Sequence, residues 1–284
     1  PKFGCEGTRN LMGVHERPLI GTIIKPSVGL SAKETGILVS QLCDGGIDFI
    51  KDDELQANGP LCPFEDRVKE VMGAVNKAAD KNGHKVMVAF NLTGEIDEMR
   101  RRHDFVQKQG GTCVMVNLMA VGMTGMIAIG HHTNLPIHAH RAGWGALTRE
   151  PLLGWSYPAW SKLWRLAGAD HMHVSGLDNK FTESNESVIE SARSLRDPLF
   201  NHAPMCSLPV FSSGQTVQQA ASTLDSVGSS DLLVTAGGGI VAHPYGVAAG
   251  VKAMRQAYDA AMQRVDVAEY AKGHPELEAA LAEF

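Results

Sequence analysis

GGIDFIKDDE, residues 45–54, decides how the rest of the chain is read. Apolar Ile47, Phe49 and Ile50 give way at once to Lys51, Asp52, Asp53 and Glu54. Charged side chains are rarely buried without partners, so a strand-like run ending in four of them delivers them to water or to a site. The same construction recurs. Short apolar, β-branched runs occupy 19–25, 47–53, 85–91, 112–118, 135–141, 170–176, 208–214 and 231–239. Each is apolar on both faces, as strands of a buried parallel sheet are. Helical spacing fills 31–44, 64–82, 94–109, 158–168, 184–194, 217–226 and 245–264, and Ser31 with Glu34 forms a capping box at the first. The Gly- and Met-rich stretch 119–134 carries the weakest helical signal. Eight strands alternating with helices predict an α/β fold, a (β/α)8 TIM barrel. An open doubly wound sheet is the alternative.

Composition narrows the function classes. The 284 residues are 44% hydrophobic and 20% charged, ordinary for a globular chain of barrel size. A net charge of −5 gives no electrostatic reason to expect nucleic acid or an anionic membrane. No apolar run reaches membrane-spanning length, and residues 1–15 lack the sections of a secretory signal. Cys5, Cys43, Cys62, Cys113 and Cys206 are scattered and form no C-x-x-C pair, so reduced thiols and a cytoplasmic setting are expected.

In a barrel of this type the active site collects at the C-terminal strand ends. Here those ends carry Lys25, Lys51 to Glu54, Asn91, Asn117, His138 to Arg141, His173, Ser212 to Gly214, and Gly237 to Gly239. Asp53 and Glu54 suit Mg²⁺, a hard ion that takes carboxylate oxygens. Lys51 shares a strand face with Asp53, where an ammonium would repel that ion. It is either a structural ion pair or a lysine carbamylated by CO₂, and charge alone favours the pair. His140, nearest the end of its strand, is a candidate general acid or base. The two H-x-H pairs, 138/140 and 171/173, also raise zinc, although the acidic cluster suits a harder ion; His138 and His171 are expected to be structural. The small residues of FSSG and AGGG let backbone N–H groups approach an anion, at the position where barrels often bind phosphate. Arg141 could clamp a second phosphate.

GTIIKPSVGLS, GGIDFIKDDE, HAHRAGWGA, HMHVSGLDNK, LPVFSSG and GGGIVAHPYG occur in this order. Together they resemble the catalytic barrel of the RuBisCO large-chain superfamily, from about Arg9 to Gly250. The resemblance implies that Lys51 is the carbamylated lysine, with CO₂ held as its carbamate, and that Asp53 and Glu54 are the Mg²⁺ carboxylates. It implies that Lys25 moves protons at the enediolate, that His140 lies beside the substrate hydroxyls, and that Asn91 lies near the metal. Arg141, His173 and Ser212 match one phosphate grip, and Gly214, Gly237 and Gly238 the other. Lys180 matches the mobile-loop lysine that contacts CO₂ or the carboxylate. A small N-terminal α/β domain normally precedes such a barrel and completes the partner's site in a homodimer. Residues 1–18 then read as its lead-in, 19–264 as the barrel and 265–284 as a C-terminal helical tail.

Departures point to the RuBisCO-like, form IV branch. Ser27 stands where CO₂-fixing members carry a second lysine, Trp144 replaces a histidine, and LDNKFTES lacks their G-K-L-E-G. Such proteins keep metal-assisted enolisation and use the enediolate otherwise. Because Lys180 could hold a substrate carboxylate, the expected reaction is decarboxylation of a β-keto sugar-acid phosphate. An enolase or isomerase of a (methylthio)ketose phosphate is the alternative, with ribulose-bisphosphate carboxylation and a non-catalytic regulatory role more remote.

Overall fold

Eight parallel strands close into one barrel in chain order, with β8 pairing back onto β1. The computed structural model describes residues 1–150 and 152–284. The strands are β1 (Leu19–Ile23), β2 (Phe49–Lys51), β3 (Met87–Asn91), β4 (Cys113–Asn117), β5 (Ile137–His140), β6 (His171–Ser175), β7 (Leu208–Phe211) and β8 (Leu233–Thr235). The helices are α1 (Gly4–Met12), α2 (Ala32–Asp44), α3 (Phe64–Asn82), α4 (Ile96–Lys108), α5 (Leu118–His132), α6 (Tyr157–Leu166) and α7 (Asn185–Arg196). They continue with α8 (Ala220–Val227), α9 (Gly238–Val241), α10 (Val247–Met262), α11 (Val267–Ala271) and α12 (Pro275–Glu283). The closed barrel removes the open-sheet alternative.

Alternation along each strand builds two cores. Leu19, Phe49, Met87, Ala89, Cys113, Met115, Leu208, Val210 and Leu233 fill the barrel. Residues of opposite parity, such as Ile20, Ile50, Val88 and Val234, pack outward under the helices. Within residues 1–18, α1 brings Met12, with Val14 behind it, onto the inner core. Asp170 ties this helix down by accepting from the N–H groups of Phe3 and Gly4 at 2.7 and 2.9 Å. At the same end Asp48 accepts from Arg17 at 2.6 Å and from the Ile20 N–H at 2.8 Å.

The predicted capping box at Ser31 and Glu34 is present. The weak stretch 119–134 is helical, but Gly122 breaks it with φ 64 and ψ 177, which explains its irregular pattern. Several observed strands are shorter than their apolar runs. β2 stops at Lys51 and β8 at Thr235, because the chain leaves the ladder there and turns across the barrel mouth.

Candidate active site

The pleat sorts the four charges after β2. Lys51 is the last residue of the strand, in register with Ile23 and Ala89, and its side chain is 1% exposed. Its Nζ donates to the Asp52 carbonyl at 2.7 Å and to Glu54 Oε2 at 3.0 Å. The expected partner by parity was Asp53; the observed one is Glu54, because Asp53 is taken up elsewhere. Asp53 Oδ2 accepts from Lys25 Nζ at 2.6 Å and from Ser27 Oγ at 2.9 Å, while Oδ1 accepts from the Leu55 N–H at 3.0 Å. Asp52 points the other way, onto the buried guanidinium of Arg67.

His140 closes this cluster. Its Nδ1 accepts from the Ala142 N–H at 3.1 Å, which assigns the ring proton to Nε2, 3.4 Å from Glu54 Oε2. Burial, then the cations Lys51, Arg141 and Lys25, hold the imidazole well below its usual pKa, so it is neutral at pH 7. Burial also lowers Lys51, against the pull of Glu54, Asp53 and Asp52. Burial opposes the charge on Glu54 as well, yet Lys51 keeps its carboxyl below the usual range. Asn91 braces the loop: its Nδ2 donates to the Glu54 carbonyl at 3.1 Å, and its Oδ1 accepts from the Thr93 N–H. Lys25, Lys51, Asp53, Glu54 and His140 thus meet at one end of the barrel.

The other histidines divide by their depth along the strands. His138 and His171 lie wholly inside the barrel. Thr8 Oγ1 gives its proton to the Gly4 carbonyl, so His171 Nε2–H donates to it at 2.8 Å. His138 Nε2 lies 2.8 Å from His173 Nε2, and His173 Nδ1 lies 3.1 Å from Ser212 Oγ. Among the described residues these four histidines do not gather into a group of three ligand atoms close enough to share one metal ion.

On the far side of the mouth the backbone dominates. Ser213 and Gly214 have φ 69 and 95, so the turn after β7 needs left-handed geometry. A Cβ at Gly238 would meet nothing within 4 Å, whereas one at Gly239 would fall 2.6 Å from the Gln215 carbonyl oxygen. Gly239 therefore packs the turn, and Gly238 faces open space. The Lys180 N–H donates to the Ser213 carbonyl at 3.1 Å, seating the loop after β6 over Gly214. The Lys180 side chain is exposed, with Nζ 5.5 Å from the Phe181 ring. Arg141 Nη2 donates to Glu183 Oε2 at 2.7 Å. Sequence reasoning missed Glu183, Arg67 and Tyr157. Only Arg67 left a trace, since Asp52 alternates outward and needs a cation.

The groups after β2 fit a dication. Lys25 and Lys51 balance Asp53 and Glu54 charge for charge. A buried lysine of lowered pKa offers the neutral amine that reacts with CO₂, and the resulting carbamate would leave three anionic oxygen groups facing one cation. Such a donor set suits Mg²⁺.

Comparison with known proteins is consistent with this geometry. The profile of the ribulose bisphosphate carboxylase large chain, catalytic domain, matches residues 4–284. A 3-oxo-isoapionate-4-phosphate transcarboxylase/hydrolase of Xanthobacter autotrophicus is 60% identical over 99% of this chain and 68% of its own length. A 3-oxo-isoapionate-4-phosphate decarboxylase of Rhizobium rhizogenes is 44% identical over 100% of this chain and 68% of its own. The crystal structure of a rubisco-like protein from Burkholderia fungorum superposes with a TM-score of 0.97 at 48% identity, covering 100% of this chain and 70% of that one. The chain belongs to the RuBisCO large-chain family, within its RuBisCO-like branch.

Proposed function

We propose that the protein is a Mg²⁺-dependent enzyme that decarboxylates a β-keto sugar-acid phosphate. One observation carries this reading: relatives at 60% and 44% identity bear different reaction names but share one substrate name, 3-oxo-isoapionate 4-phosphate. A 3-oxo acid has its ketone two carbons from the carboxylate, so loss of CO₂ sends the bonding electrons toward the ketone. Mg²⁺ held by carbamylated Lys51, Asp53 and Glu54 would polarise that oxygen and stabilise the charge developing there.

The chain's own residues do the rest. The turns at Gly214, Gly237 and Gly238 receive the phosphate through backbone N–H groups. Ser212, backed by His173, lines the mouth beside them. His140, neutral with its proton on Nε2, donates a hydrogen bond to a substrate hydroxyl. Lys180 swings inward to pair with the carboxylate. As the C–C bond breaks, CO₂ leaves with its two oxygens and the electron pair forms the enediolate. The Lys25 ammonium, held 2.6 Å from Asp53 and 40% exposed, then gives its proton to carbon. The assembly is proposed as a homodimer, supported by apolar Leu55, Leu61 and Leu152, which lie exposed in loops on the strand-end side. Among the described residues no helix is long and apolar enough to cross a membrane.

A second reading, carboxyl transfer with hydrolysis, is favoured by the 60% relative. Incubation of the full-length protein, Mg²⁺ and bicarbonate with 3-oxo-isoapionate 4-phosphate labelled at the carboxyl carbon separates them. Decarboxylation releases the label as CO₂, and carboxyl transfer retains it in an acid product. Deuterium exchange with no movement of the label supports the enolase or isomerase instead.

A further inference from the structure

We infer that Glu183 makes this a pocket for one phosphate only: its carboxylate occupies the Arg141 guanidinium, so a sugar phosphorylated at both ends is disfavoured. This deepens the proposed function and rests on its premise that the pocket takes a sugar phosphate.

The pair is built in. Arg141 Nη2 and Glu183 Oε2 lie 2.7 Å apart, with the side chains 11% and 18% exposed. Charge-assisted contacts of this length are strong when partly desolvated. The guanidinium has little room to turn to another anion. It lies over the Tyr157 ring at 4.9 Å and near the Trp144 ring at 5.9 Å, and the Tyr157 hydroxyl donates to the His173 carbonyl at 2.7 Å. Its other terminal nitrogen, Nη1, is buried without a partner, so it offers no open donor to the mouth. A phosphate needs the open fork, and the fork is closed.

Glu183 is equally fixed. Oε1 accepts from Ser187 Oγ at 3.2 Å, and the Glu183 carbonyl accepts from Asn179 Nδ2 at 2.9 Å. Asn179 Nδ2 also donates to the Gly176 carbonyl at 3.0 Å, so the loop that carries Lys180 itself presents the glutamate to Arg141. A second phosphate at Arg141 would have to break the pair and then lie against the displaced carboxylate. Rejection through an unfavourable charge is a common source of specificity. At the glycine turns, by contrast, Gly238 faces open space. One end of the mouth is open to a dianion and the other already holds its anion.

The test is calorimetric and needs no turnover. Full-length protein with Mg²⁺ and bicarbonate is titrated with ribitol 5-phosphate and with ribitol 1,5-bisphosphate, polyols that carry no ketone. The wild type is expected to bind the bisphosphate no tighter than the monophosphate. Glu183→Gln keeps a hydrogen-bond acceptor for the loop but removes the charge. It should tighten the bisphosphate at least tenfold and move the monophosphate less than twofold. Adding Arg141→Met to that variant should erase the gain. A wild type that already prefers the bisphosphate tenfold overturns the inference, as does a Glu183→Gln variant that shifts both ligands equally or neither. Failure of the decarboxylase reading shows separately in the labelled-substrate assay and leaves the affinity ratio standing; if neither polyol phosphate binds either protein, the shared premise falls and the inference with it.

Discussion

Asp52 and Asp53 are adjacent and of one residue type, yet the strand pleat turns them into different kinds of group. Asp52 faces outward. Both its oxygens accept from Arg67 at 3.1–3.2 Å, and Oδ2 also accepts from the Asn91 N–H at 3.0 Å. Arg67, fully buried, spends its remaining donors on the carbonyls of Cys62, Gln56 and Ala57. Asp53 faces the mouth, and its shortest contact is to the ammonium of Lys25, which is 40% exposed and also donates to Ser27 Oγ at 2.8 Å. The outward carboxylate is committed to the backbone of the loop carrying Glu54; the inward one is held by partners that a ligand can displace. Buried charge that is fully and rigidly paired supports the fold, and buried charge with exchangeable partners is available for chemistry.

The sharpest way to break this contrast is Asp52→Ala. It strands the Arg67 charge in the core and should cost about 3–5 kcal/mol of stability, read by chemical denaturation. A loss below about 1 kcal/mol would mean that Arg67 finds water or another acceptor and that Asp52 is no brace. Asp53→Asn should do the reverse. Expected is a fall in kcat of more than about a thousandfold, about 4 kcal/mol of barrier, with the melting temperature nearly unchanged. Should both substitutions damage stability alike, the division between the two faces fails.

The barrel interior extends the comparison to groups buried without charge. Burial holds His138, His140 and His173 well below pH 6.5 and His171 at about 4. The unfolded chain takes up these protons near pH 6.5 while the folded one does not. Stability is therefore fully present above pH 6.5 and is lost as pH falls toward the folded-state values. Each histidine costs about 0.8 kcal/mol at pH 6, so about 3 kcal/mol for the four. Melting temperature followed from pH 8 to pH 5 should drop on the acid side, and a flat profile would mean that the ring cluster already carries charge. The smallest effect is expected across the mouth. Gly238→Ala adds a methyl to open space where the phosphate is proposed to bind and should raise KM about tenfold, about 1.4 kcal/mol, with no loss of stability. An unchanged KM would place the anion elsewhere.

Much of this was legible because strand parity is local. Alternation put Lys51 and Asp53 on one face and all four strand histidines on the inner face; position along the strand, not parity, separated His138 and His171 from His140 and His173, and the charged ends came to one rim once the barrel was recognised. Partner choice was not legible in the same way. Lys51 pairs with Glu54 and not with Asp53 because Lys25, 28 positions from Asp53, reaches it first. Glu183 lies 42 residues from Arg141, with no spacing rule to link them.

By itself, then, the chain's pattern of short two-faced apolar runs, each ending in polar groups, determined a barrel and which residues stand at its rim. That information is carried by neighbours a few positions apart, through the pleat and the helical turn. Only the closed tertiary structure decided which charges meet, because ion pairs form between segments tens of residues apart, and the shape of the mouth selects among several cations and anions of equal merit. The same closure made α1 an inner-core element and set Glu183 against Arg141, an assignment that depends on the path of one loop across the mouth.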